Sequence, residues 1–186
     1  MRWSAARLLV VLFAFSSAAE PPQDAPVTVI TPQAVSNLIE RAGILMIEGE
    51  IQQYTEMLAD DFKFNNVDGP IVKDAPNPIR KMDRAEYIKA MEASMRLFAF
   101  KKYETNIHTI KISPDGQQAE MTGDILQNLV FRKTGGFHLM EHEANVLFEV
   151  RNGHILVVRI QCVGKRFEHT PPPDEKQRDA REMHSR

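Results

Sequence analysis

Two histidines and a glutamate stand close together in His138-Leu139-Met140-Glu141-His142. The string matches H-x-x-E-H, the inverted form of a zinc-protease signature. Zinc held in this way needs both imidazoles on one helical face. Four residues of helix separate them by about 6 Å along the axis, which one metal ion bridges. Four residues of strand separate them by roughly 13 Å, which no single ion bridges. The secondary structure around the motif therefore decides its chemistry. Glu141, Glu143 and Glu149 share odd parity, whereas His138, Met140, His142, Ala144, Val146, Phe148 and Val150 share even parity. Alternation with a period of two predicts a strand with an apolar even face. Asn152-Gly153, which follows, is a strong hairpin-turn signal. The expectation is a strand, with no metal site and no cofactor.

On such a strand His138 and His142 have two readings. Each is a satisfied core or rim histidine, or each is a polar group lining an apolar cavity, the usual form of a small-molecule site. As a cavity residue His142 is the leading candidate for a general base, because imidazole titrates near neutrality. His108 is the second candidate base. It shares parity with Phe98, Phe100, Ile110 and Ile112, and faces either the same cavity or a mixed sheet surface. Asp68 is the candidate carboxylate partner. Asn66, Met140, Arg159 and His138 complete the set as candidate pocket residues. For Arg159, which interrupts the apolar run Val157–Val163, an ion pair is the alternative. Cys162 is the only cysteine, so no internal disulfide is possible, and its apolar surroundings predict a buried, inert thiol.

These side chains need elements to position them. Thr31-Pro32 is an N-cap followed by Pro at the first helical position. Val35, Leu38, Ile39, Ala42, Leu45 and Met46 then recur at helical spacing. Gly49 interrupts, and Ile51, Tyr54 and Leu58 continue on a short second helix. Phe62-Lys63-Phe64 alternates as a strand. Asp83-Arg84-Ala85-Glu86 has the spacing of a capping box, with Met82 and Tyr87 at the hydrophobic-staple positions. Ile88, Met91, Met95 and Phe98 form the stripe of a third helix. From there on, turn signals at 113–116, 133–136 and 152–153 divide the chain into strands of an antiparallel meander. A two-residue turn at Asn152-Gly153 pairs Phe148 with Val157 and Val146 with Arg159, which leaves both hairpin faces mixed unless a β-bulge or a second buried face intervenes. The fold class is α+β, with N-terminal helices on one face of a curved antiparallel sheet.

The ends of the chain read differently. Met1–Arg7 is basic, Leu8–Phe15 is apolar, and Ser17-Ala18-Ala19 is a small-residue cleavage site. Residues 1–19 are thus expected to be a signal peptide, which places the protein in the periplasm or outside the cell. The apolar run is too short to span a bilayer, so no membrane association is expected after cleavage. Cleavage removes Arg2 and Arg7 and moves the formal charge from −2 to −4, which argues against a nucleic-acid partner. Residues 20–31 are Pro-rich and expected to be a flexible lead-in, residues 32–166 the domain, and residues 167–186 a disordered charged tail.

Residues 47–70, "IEGEIQQYTEMLADDFKFNNVDGP", carry a family resemblance. A helix, the turn Gly49-Glu50, a second helix ending in Ala59-Asp60-Asp61 and the strand Phe62-Lys63-Phe64 resemble the start of the nuclear transport factor 2-like (NTF2-like) superfamily. This superfamily includes SnoaL-like domains and ketosteroid isomerases. The resemblance implies a cone, in which the sheet wraps a long helix around an apolar pocket, and a homodimer formed through the outer sheet face. It also implies places for a catalytic set. Counting from Ala-Asp-Asp, the isomerase base falls at Asn66, with Asp68 two residues on. The oxyanion tyrosine falls near Gly43, where no Tyr stands, and the second acid corresponds to Glu141 or His142. The function expected first is a binding or accessory domain for a small apolar molecule. A small lyase or isomerase using a His base is the second expectation, and a dimeric interaction module the third.

Overall fold

The computed structural model describes residues 26–67 and 81–172. The segment expected to be a signal peptide, Asp68 and the chain beyond residue 172 lie outside the described residues. The element order is α1 (Pro32–Glu48), α2 (Ile51–Glu56), β1 (Leu58–Val67), β2 (Lys81–Asp83), α3 (Arg84–Leu97), β3 (Phe98–Ile112), β4 (Gln118–Phe131), β5 (Phe137–Arg151) and β6 (His154–Thr170). The strands form one six-stranded sheet in the order β2-β1-β6-β5-β4-β3.

Local signals explain most element ends. The Thr31 side chain accepts from the Ala34 N–H at the start of α1, and Gly49 ends the helix at φ 82°. That left-handed conformation suits glycine. At α3, Asp83 accepts from the Glu86 N–H at 2.9 Å, and Glu86 accepts from the Asp83 N–H at 3.1 Å. The capping box therefore satisfies two helix-end donors. Asn152 and Gly153 both adopt positive φ, 52° and 79°, which fits a tight turn matched to strand twist.

The meander from β3 to β6 is antiparallel, as the turn signals require. The sheet as a whole is mixed, because β1 adds to β6 in parallel. The strand at residues 62–64 is therefore the middle of a longer one. Leu58 belongs to it, not to the second helix: α2 ends at Glu56, and the Val157 N–H donates to the Met57 carbonyl at 2.8 Å. That long-range bond draws the chain into the sheet before the apolar spacing runs out. At the far end β6 runs through Thr170, so residues 167–170 are strand rather than tail. Before α1, the Val27 N–H bonds to the Gly153 carbonyl and the Ile30 N–H to the Gly116 carbonyl, both at 2.8 Å. This part of the lead-in is thereby tied to two hairpin turns.

A bulge does resolve the mixed faces of the last hairpin. Phe148 pairs with Val157, but the register then shifts, so that Leu147 meets Arg159, Val146 meets Ile160 and Ala144 meets Cys162. The apolar residues gather on one face under the helices. The core comprises Val35 and Met46 of α1, Phe62 of β1, Met121 of β4 and Ala144, Val146 and Phe148 of β5, all at 3% exposure or less. Each large side chain so buried contributes on the order of 1.5–3 kcal/mol.

Candidate functional site

The inner face of the sheet does not fill completely. Under α3 it leaves a cavity of about 250 Å³. Its floor is a grid of cross-strand neighbours. Tyr103, Gln127 and Met140 lie side by side across β3, β4 and β5, and His142 lies beside Ile125. On the other side the parallel pairs Phe64–Ile160 and Asn66–Cys162 complete it. Tyr87 and Met91, one helical turn apart on α3, form the roof. Arg84 holds that roof down by donating to the Thr55 carbonyl at 3.0 Å.

The cavity is apolar with a few convergent polar atoms. His142 Nδ1 and Asn66 Oδ1 are both buried without a hydrogen-bond partner among the described residues. Burial holds the His142 imidazole below its ordinary pKa of 6.5, so it is a neutral group at neutral pH. Tyr87 shares a hydrogen bond with Tyr54, their hydroxyls 3.0 Å apart. Burial pushes the Tyr54, Tyr87 and Tyr103 phenols above their ordinary range. Each stays protonated and able to donate. The Cys162 thiol is pushed up to about 12, also by burial, which makes it a filler and not a nucleophile. No charged side chain lines the cavity among the described residues. It can take an uncharged molecule, and it offers acceptors at His142 and Asn66 and donors at the phenols.

Asn66, Met140 and His142 thus meet in one place. Other candidates do not join them. His138 lies farther along β5 in an aromatic cluster, with ring centroids 5.4 Å from Phe98, 5.6 Å from Phe167 and 4.6 Å from His169. Burial first, and then His169, lowers its pKa. His108 is an exposed partner of Asp124, with Nε2 3.2 Å from Oδ2. It sits where the β3 register shifts between Ile107 and Thr109, and of the two faces its parity left open it takes the outer surface. Arg159 is on the outer face, because the last-hairpin bulge turns Ile160 and Cys162 inward. There it lines a shallow hollow with Glu120, 4.0 Å away, and Gln161. Glu141 is also outside, 3.3 Å from Arg166.

Sequence reasoning missed Tyr103 and Gln127 as cavity residues, and treated Tyr87 only as a staple. Tyr87 carried a signal, since it stands four residues before Met91 on one helical face. Tyr103 carried a fainter one. A bulge between Phe100 and Lys102 reverses the strand's parity. The adjacent Lys101-Lys102 is the local break in alternation that marks it.

No family model matches the chain, and no curated protein matches it. Solved structures do. A scytalone dehydratase-like protein from Novosphingobium aromaticivorans superposes with a TM-score of 0.58 at 13% identity, over 77% of this chain and 92% of that one. An NTF2-like protein from Cytophaga hutchinsonii gives 0.52 at 12% identity, over 73% and 99%. A type 2 hexachlorocyclohexane dehydrochlorinase gives 0.56 at 10% identity, over 77% and 93%. At such identities the likeness is one of fold, and the chain has the NTF2-like fold.

Proposed function

We propose that this chain is an exported domain that binds a small, uncharged, mainly apolar molecule bearing a hydrogen-bonding oxygen. One observation carries the reading: His142 and Asn66 line an apolar cavity of about 250 Å³, and their Nδ1 and Oδ1 atoms are buried without a partner among the described residues. Leaving a buried polar atom unmet costs about 1–3 kcal/mol, and a ligand that meets it recovers that cost. The volume is just under the roughly 300–1,000 Å³ of typical small-molecule sites, so the ligand is compact. Titration with cyclic ketones and hydroxy-ketones tests the reading. His142→Ala should weaken binding a few-fold to tenfold, the effect of about 0.5–1.5 kcal/mol for one hydrogen bond. Unchanged binding would remove His142 from the site.

The neutral state of His142 favours a second reading, a small lyase or isomerase. An unprotonated imidazole can take a proton from carbon next to a carbonyl, and the phenols of Tyr87 and Tyr103 can donate to the oxygen on which charge develops. Two of the structures above bear the names of elimination enzymes. Under this reading His142→Ala abolishes turnover of a ketone or hydroxy-ketone while its binding survives.

A further inference from the structure

A second, smaller space lies beside the ligand cavity. It measures about 40 Å³, and Ile39 and Ala42 of α1 close it on one side. Tyr103, Ile125 and Ile160 line both spaces. The outer cavity carries His142, Asn66 and Gln127. The inner one adds only apolar side chains, together with Tyr54 and Thr105. Tyr103 is fixed in position. A Cβ on Gly43 would come within 3.2 Å of its carbonyl oxygen and 3.3 Å of its ring, so α1 approaches this residue closely because glycine stands there. Its cross-strand partner is Gln127.

We infer that Tyr103 is a partition that limits how long an apolar tail the cavity accepts. The inference rests on the ligand-binding reading above. The ligand class follows from it: a neutral molecule with an oxygen at the His142 end and a short tail directed at Tyr103. The space behind the ring holds about three methyl-sized groups, judged by the roughly 10–15 Å³ that one water-sized probe needs.

The test is a series of straight-chain 2-alkanones titrated into the full mature chain. Affinity for the wild type rises about fourfold per methylene until the tail meets the partition, and then stops rising. In Tyr103→Ala the rise continues for about three more carbons, so the longest of these ketones binds at least about tenfold more tightly than to the wild type. Tyr103→Phe keeps the ring and the wild-type limit. Adding Ala42→Leu to Tyr103→Ala refills the inner space and restores that limit. Ala42→Leu alone leaves the series unchanged, because a closed partition hides the inner space. If Tyr103→Ala does not melt cooperatively, Ile160→Ala opens the same wall and is read instead. An unchanged limit in the opened variant, or a limit shortened by Ala42→Leu alone, would overturn the partition while leaving the ligand reading intact. Failure of every ketone to bind the wild type would overturn the ligand reading and the partition with it.

Discussion

An imidazole in a cavity wall responds to acid differently from one in water. Burial lowers the His142 pKa below 6.5 in the folded chain, so the unfolded chain takes up the proton first. The stability due to the neutral ring is complete above 6.5. It is lost as pH falls from there through the lowered folded value. His138 acts in the same direction through burial and its neighbour His169. Denaturant melts stepped downward from just above 6.5 should show this decline, and His142→Gln should flatten it. A slope unaltered by that change would place the linked proton elsewhere. The residues that parity alone could place were legible. Met140 and His142 stand on a strand whose charged groups all share the other parity, so their inward face could be read directly. Tyr103, His108 and Arg159 could not be placed in this way. Each lies at or beyond a bulge, and a single extra residue sends every following side chain to the opposite face.

Capping and turn chemistry made the element boundaries visible wherever the deciding contacts are local. Asp83 and Glu86 marked the start of α3, and Asn152-Gly153 marked the β5–β6 turn. Boundaries set by distant partners were hidden, as at Leu58, where pairing with Val157 overrides a helical spacing. Because α3 roofs the cavity, its cap matters twice. Asp83→Ala should cost about 0.5–2 kcal/mol in stability and should also weaken ligand binding, which melts and titrations of one variant can compare. A variant that loses stability but binds normally would separate the roof from the site. The β3–β4 pair has a stricter requirement. Gly123 pairs with Ile107 beside a bulge, and an added Cβ would stand 2.5 Å from the Asn106 carbonyl oxygen. Backbone cannot retreat from that contact as a flexible side chain can. Gly123→Ala should destabilise by about 1–3 kcal/mol, and an unshifted denaturation midpoint would mean that the strands separate there at little cost.

For the molecule as a whole, export is the expectation that the N-terminal segment carries. Sequencing of the secreted protein should find a start at or near Glu20, and an exported soluble form retaining Met1 would refute cleavage. The homodimer is a proposal of the same kind. Sedimentation at rising concentration decides between one chain and two. The parallel pairing of β1 with β6 has a consequence for the order of events. The Asn66–Cys162 wall joins the first described strand in chain order to the last, so a ribosome-bound chain holds β1 without that neighbour until β6 has emerged. Closing a loop of that length is entropically slow and makes the cavity wall one of the last parts to form. Under the export proposal, a chain threaded through a membrane pore stays loose for the same reason, since β1 cannot pair before β6 arrives. Recovery of ligand binding in refolding experiments should therefore lag behind the appearance of helix signal.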